Sequence, residues 1–517
     1  MHAYSTFVRV GEAELYTLVA LPDTTGRFPV VVGRSPYVDC DENKSDAELC
    51  EHILSADRPW LEAGYAVIRQ HCRGRGRSSG DCIPYIYERE DTLALLDWIR
   101  VQSFYNGEIY LCGASYTSSV FLVAAPYAPD IKAAVLEVQD SERYNVCYRN
   151  GFLKCGLHGS WYVGMYKYKS IREKNYSATS FQMLPLSDFT KTVLGEPAAD
   201  FDECIRHPRR DDPFWQTHVG GVESHNALVG AKIPILLITG FYDIYTGGIF
   251  DMWNLLDEET RAMCALIVHP YDHGCHPEKQ PICFENGQIR EAFGSYPLKW
   301  IESVRGKGQP PVELGKVTYY RLFENGWRTE DFTDAPDRQT IPLGSGEVTY
   351  TYNPYAPASF KGGLSCNFDG CAWQDAPNWR YDIKSFFSEP FAADTFVRGK
   401  MRARLTVKSD CEDTCFYVRV SLDKAEGAYG LRDDITQISN VAPDYTPGDT
   451  VTLDFTFDEH AFLIKAGERL RIDVSSSAFP HYLRHTNNRG LYSEQTTAKI
   501  AHNTIVLDGS ELTIPVE

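Results

Sequence analysis

Nowhere does this chain gather the ~20 consecutive apolar residues that a bilayer-spanning helix needs, so no membrane-spanning helix is expected. Cations are also in short supply. Lys and Arg number 51 against 70 Asp and Glu, a formal net charge of −19. Nucleic acid and anionic membrane surfaces are held mainly by clustered Lys and Arg, so both are disfavoured as partners. The opening MHAYSTFVRVGEAELYTLVALP has no basic segment followed by an apolar run. No secretory leader is expected from it, and the expected compartment is the cytoplasm. Repeats and low-complexity tracts are missing, which removes solenoids and tethers from consideration. The fifteen cysteines are odd in number and follow no repeated spacing. They read as reduced thiols rather than a disulfide framework.

What is there is a folding chain. At 517 residues, with 43% hydrophobic and 23% charged, it predicts a globular protein of two or three domains. Apolar runs at Val30 to Ser35, Tyr65 to Gln70, Glu108 to Gly113 and Ala133 to Val138 alternate with helical patterns at Glu88 to Val101 and Tyr116 to Ala124. Strands alternating with helices predict a mostly parallel sheet covered on both faces. From Ser141 to Val229 the strand rhythm is lost among aromatic and polar residues, which predicts an inserted, largely helical cap. The rhythm returns at Ile233 to Gly240 and Cys264 to Pro270. Beyond a Gly/Pro linker at Gly306 to Pro311 the period becomes two, as in Met401 to Lys408, Phe416 to Leu422, Val451 to Phe457 and Leu470 to Val474. One-sided strands at this density predict an antiparallel jelly-roll sandwich. The expected division is 1–140 and 231–309 for the sheet domain, 141–230 for the cap and 310–517 for the sandwich.

Gly113-Ala114-Ser115-Tyr116 lies between an apolar strand and an apolar helix, the setting in which a tight turn presents a serine hydroxyl above a sheet. An ordinary strand-to-helix turn with a serine cap fits the tetrapeptide equally well. Chain order changes the balance. Asp243 follows the strand at Ile235 to Gly240, and His273 follows the strand at Cys264 to Val268, the order Ser, Asp, His that this type of sheet uses. In that reading His273 takes the Ser115 proton and Asp243 orients the imidazole. Asp251, inside the next helix, and Asp272, adjacent to His273, are less well placed. His269, His273, Cys275 and His276 suggest a metal site, but their spacing crosses a Pro-containing loop and no H-E-x-x-H pattern is present, so no metal is expected. RGRGRSSG at Arg73 to Gly80 does not have phosphate-loop spacing and reads as a structural turn with salt-bridged arginines.

RSPY at Arg34 to Tyr37, GYAVIRQHCRGRGRSSG at Gly64 to Gly80, NGEIYLCGASY at Asn106 to Tyr116, GFYD ending at Asp243, HPYDH ending at His273 and GERLRIDVSSSAFP at Gly467 to Pro480 resemble, in this order, the acyl esterases similar to cocaine esterase, together with α-amino-acid ester hydrolases and X-Pro dipeptidyl-peptidases. The resemblance implies an α/β-hydrolase domain with an inserted helical cap and a C-terminal jelly roll. It places a triad on Ser115, Asp243 and His273, and an oxyanion hole on the Tyr37 hydroxyl and the Tyr116 N–H. Read from its own residues, Tyr37 is a buried aromatic. Three positions depart from the family pattern: Ser118 and His269 replace glycines, and His71 replaces an aspartate. The expected reaction is hydrolysis of a small-molecule carboxylic ester through an acyl-enzyme, without metal or organic cofactor. Amide or peptide hydrolysis, acyl transfer, and a catalytically silent binding protein are the alternatives, and homo-oligomerisation is left open. Trp161, Tyr162, Phe241 and Tyr242 are the candidate pocket walls.

Overall fold

The computed structural model describes residues 1–122, 129–140, 142–217, 230, 232–277, 280, 282–285, 287, 294–363, 370 and 372–517. The ends of the expected helix at 123–124 and of the expected cap at 218–229 lie outside them. In chain order the first strands are β1 (His2–Val10), β2 (Ala13–Leu21), β3 (Phe28–Ser35), β4 (Ala66–His71), β5 (Tyr105–Ala114) and β6 (Ile131–Glu137). A two-residue hairpin in the cap, β7 (Tyr148–Arg149) and β8 (Phe152–Leu153), precedes β9 (Ile235–Tyr242), β10 (Ala265–Asp272), β11 (Val317–Arg321) and β12 (Gly326–Glu330). Ten of these form one sheet in the order β1-β2-β4-β3-β5-β6-β9-β10-β11-β12. The run from β4 to β11 is parallel, and β1-β2, β2-β4 and β11-β12 pair antiparallel. Every residue of β9 and β10 is buried, as expected of central strands covered on both faces.

Two features differ from the sequence expectation. The N-terminal hairpin β1-β2 is part of the sheet and adds two antiparallel strands at one edge to the expected parallel ones, with the apolar run Leu18 to Leu21 of β2 buried beside β4. At the other end β11 and β12, which lie beyond the expected boundary between 309 and 310, follow β10 and extend the sheet to Glu330. Val317, Tyr319 and Tyr320 pack beside β10 in the sheet-domain core, and a period-two segment looks the same whether its partner lies in one sheet or the other.

The cap is built from short helices, among them Arg143–Cys147, Ser160–Met165, Phe189–Leu194 and Ala199–Arg206. Its own core gathers Tyr144, Tyr148, Tyr162, Phe181, Phe189, Phe201 and Trp215, and Phe479 and Leu483 from the C-terminal region complete it. Arg149 fastens the cap to the sandwich through Asp434 at 2.8 Å, Asp458 at 2.9 Å and the Thr456 carbonyl at 2.8 Å.

The sandwich continues with β13 (Asp337–Pro342), β14 (Glu347–Tyr352), β15 (Lys384–Phe387), β16 (Thr395–Gly399), β17 (Arg402–Ser409), β18 (Cys415–Lys424), β19 (Gly427–Gln437), β20 (Val451–Thr456), β21 (His460–Ile464), β22 (Arg469–Ser475) and β23 (Ala501–Val516). One sheet runs β20-β17-β23-β16-β21 with β13 and β14 also on β23, and the other runs β15-β22-β18-β19. β17 and β20 alternate buried and exposed as their sequence predicts. β18 does not. Phe416, Val418, Val420 and Leu422 face the inter-sheet core, while Tyr417 packs in a second cluster with Phe152 of the cap and Tyr482. The outer face of that sheet is therefore covered too.

Candidate active site

Each candidate residue begins where a strand ends. Ser115 follows β5, Asp243 follows β9 and His273 follows β10. A parallel sheet gathers the C-terminal ends of its strands along one edge, so residues far apart in sequence meet there. His273 Nε2 lies 2.9 Å from Ser115 Oγ, and His273 Nδ1 lies 2.7 Å from Asp243 Oδ1. A carboxylate can only accept, so Nδ1–H donates to Asp243 and the Nε2 lone pair receives the serine hydroxyl. The other Asp243 oxygen accepts from Thr239 Oγ1 at 2.8 Å, and the aspartate is fully buried.

The serine turn is sterically determined. Ser115 has φ 58°, a left-handed backbone that costs an L-residue energy and occurs at functional turns. Its N–H donates to the Glu137 carbonyl at 2.9 Å, and Thr117 Oγ1 clips the turn by accepting from Ala114 N at 2.7 Å. A side chain at Gly113 would bring Cβ to 2.4 Å from the Thr117 carbonyl oxygen. Tyr116 opens the helix Tyr116–Leu122, so its N–H has no intrahelical acceptor. Its buried hydroxyl donates to Glu88 Oε1 at 2.6 Å and accepts from Tyr85 N at 2.8 Å. Burial and the Glu88 carboxylate push that phenol well above its ordinary range. Glu88 in turn meets Arg34 at 3.1 Å.

Ser115, Tyr116 and His273 floor a cavity of about 270 Å³, whose walls include Tyr37, Tyr85, Trp161, Ile244 and Tyr245. Trp161 is the one proposed wall residue that faces it. Tyr162 is one position further round the same helix and turns into the cap core, 4.7 Å from the Phe201 ring and 5.7 Å from Tyr166. Phe241 and Tyr242 lie in β9 beneath the sandwich. Phe241 packs on His460 at 5.0 Å, and Tyr242 donates to the Gly430 carbonyl at 2.8 Å. Adjacency to Asp243 therefore misassigned them. Tyr245, two residues beyond Asp243, takes their place with its ring 5.6 Å from His273. Tyr85 and His158 also line the cavity, and no periodicity marks either. Tyr37 is half exposed rather than buried, and its hydroxyl accepts from Trp161 Nε1 at 3.1 Å.

The remaining candidates have structural surroundings. His269 is buried, its Nδ1 accepts from Tyr271 N at 3.2 Å, and burial pushes its imidazole down to about 4. Gly240 makes room for it, since a Cβ there would lie 2.4 Å from the ring. His71, also lowered to about 4 by burial, accepts from Arg77 N at 3.1 Å. Ser118 is buried beneath the turn. Asp272 pairs with His276 at 3.5 Å rather than with His273. Among the described residues no group of three or more His, Cys, Asp or Glu could hold a metal ion, no cysteine is disulfide-bonded, and no helix is long and apolar enough to cross a membrane.

A doubly covered sheet with serine, histidine and aspartate at its strand ends, followed by an all-β domain, defines a serine hydrolase of the α/β-hydrolase fold. Residues 11–275 match the family model for the X-Pro dipeptidyl-peptidase (S15 family), and residues 312–512 match that for the X-Pro dipeptidyl-peptidase C-terminal non-catalytic domain. The chain belongs to the S15 family. It is 24% identical over 534 residues to cocaine esterase of Rhodococcus sp. (strain MB1 Bresler), covering 92% of this chain and 90% of that one. Among solved structures it is similar to an α-amino acid ester hydrolase, at 17% identity and TM-score 0.82, covering 100% of this chain and 96% of that one. An aminopeptidase from a marine sediment archaeon (Thaumarchaeota archaeon) follows at 16% identity and TM-score 0.75, with the same coverage. Both structural likenesses concern the fold.

Proposed function

We propose that the protein hydrolyses a carboxylic ester through an acyl-enzyme carried by Ser115. The observation that supports this best is the unbroken hydrogen-bonded chain from Asp243 through His273 to Ser115 at the floor of an aromatic-walled cavity. His273 accepts the serine proton as Oγ attacks the carbonyl carbon, then delivers it to the departing alkoxide, and a water repeats the sequence to release the acid. Asp243 holds the imidazole tautomer and stabilises the imidazolium. The carbonyl oxygen gains negative charge in the transition state, and the Tyr37 hydroxyl with the Tyr116 N–H stabilises it there. Tyr85, Trp161 and Tyr245 favour a flat, ring-bearing acyl group, in keeping with the ester named for the Rhodococcus relative. Amide hydrolysis uses the same groups and is the second reading, supported by the peptidase description of the matched family.

The test uses Ser115→Ala, His273→Ala and the double variant on an activated aryl ester, beside a panel of alkyl esters and X-Pro and α-amino amides. Each single variant should lose nearly all turnover and the double should be little worse, because triad members act as a unit. Multiplicative losses would show that one residue is misassigned. A folded wild-type protein that a fluorophosphonate fails to label at Ser115 would favour a binding protein instead.

A further inference from the structure

The RGRGRSSG turn has a shape that the triad does not explain. Gly74 has φ +69° and a Cβ there would lie 2.2 Å from the Cys82 backbone nitrogen; Gly76 has φ +48° and its Cβ would lie 2.4 Å from His71 Nδ1. Positive φ together with backbone and ring this close leaves room for glycine at both positions. The residue between them, Arg75, is thereby sent inward and is 3% exposed. Its Nε donates to the Pro36 carbonyl at 2.7 Å, and its Nη2 donates to Asp39 Oδ2 at 2.5 Å. The face of the same guanidinium covers the cap residue Tyr168 at 4.1 Å. Pro36 and Asp39 flank Tyr37, whose own N–H donates to Ser35 Oγ at 3.1 Å.

We propose that Arg75 is a positioning residue for the reaction: it clamps the Pro36–Asp39 segment from both sides and so holds the Tyr37 hydroxyl where the oxyanion forms. The proposal rests on the oxyanion role given to Tyr37 above. A planar fork holds a carbonyl and a carboxylate at once in fixed directions, whereas a lysine ammonium is a single point charge on a flexible stem. The cap touches the same assembly twice, through Tyr168 stacked on the guanidinium and through Trp161, which donates to the Tyr37 hydroxyl.

The experiment is a double-mutant cycle in kcat and KM on an activated aryl ester, with Tyr37→Phe, Arg75→Lys and the double variant, beside urea midpoints for each. Misplacing a reacting group by ~1 Å costs on the order of 10²-fold, so Arg75→Lys should lower kcat by roughly that factor with KM within about two-fold. In the Tyr37→Phe background the same substitution should lower kcat no further, because the group it positions is already gone. Losses that multiply would assign Arg75 to general stability and overturn the proposal. A Tyr37→Phe protein with normal kcat would instead overturn the oxyanion reading, and the clamp's role with it. Should Arg75→Lys fail to fold, Asp39→Asn loosens the same clamp from its more exposed side. Its smaller loss, about two- to ten-fold, must likewise vanish when Tyr37 is phenylalanine.

Discussion

Gly113→Ala is a one-carbon change whose effect can be worked out from the serine turn itself. The added Cβ would stand 2.4 Å from the Thr117 carbonyl oxygen, 2.6 Å from its carbonyl carbon and 2.8 Å from Ser118 N. All three atoms are backbone, so no side chain can swing aside. Carbon contacts become favourable only near ~3.5 Å, so the first turn of the helix must retreat by about 1 Å. That turn carries the Ser118 N–H to Ser115 carbonyl bond at 2.9 Å and the Thr117 clip on Ala114. Overpacking of this kind costs about 1–3 kcal/mol, read as a lower urea midpoint at unchanged slope. The same displacement moves Ser115 Oγ and the Tyr116 N–H relative to His273, and kcat should fall by ~10²-fold, with slower fluorophosphonate labelling in proportion. Gly164→Ala supplies the control. Gly164 is exposed in the cap helix Ser160–Met165, and a Cβ added there would meet nothing within 4 Å, so alanine should stabilise by up to about 1 kcal/mol. A Gly113→Ala enzyme with wild-type kcat and labelling rate would refute the argument that this turn is held by backbone contact.

Further outcomes follow from buried charge. Arg149→Met leaves the carboxylates of Asp434 and Asp458, with side chains 2% and 12% exposed, without their shared partner. Breaking such a buried pair costs about 3–5 kcal/mol, to be read from the urea midpoint, and a loss under about 1 kcal/mol would show that the cap and sandwich do not depend on this contact. His269→Gln keeps an acceptor for Tyr271 N but removes a titration. The folded imidazole is held down to about 4 by burial, while the unfolded chain protonates near ~6.5. The stability tied to its neutral form is therefore complete above about pH 6.5 and is lost as pH falls towards 4, about 3 kcal/mol in all. The gap in Tm between wild type and His269→Gln should shrink between pH 7 and 4.5, and parallel pH curves would refute the assignment of a buried neutral imidazole.

The parts of this protein that local sequence determines are those in which chemistry and chain direction coincide. Apolar β-rich runs mark β3 to β6, β9 and β10 because strands covered on both faces need side chains that bury completely. Ser115, Asp243 and His273 stand out because each directly follows such a strand, and parallel strands end on one edge. Period-two segments mark the sandwich for the same local reason. Which sheet β11 and β12 join was decided only by tertiary packing, since alternation specifies a half-buried strand without naming its partner. The cavity walls were decided there as well. Trp161 and Tyr162 are adjacent, yet a helix turns successive residues by about 100°, so one faces the cavity above Ser115 and the other the cap core. Phe241 and Tyr242 adjoin Asp243 in sequence but lie under β19 and β21, while Tyr245 reaches the cavity because the chain bends after β9. The glycines of RGRGRSSG announce a tight turn in the sequence. That the turn drives Arg75 against the Pro36–Asp39 segment is a product of the fold, because it depends on β3 and β4 lying side by side.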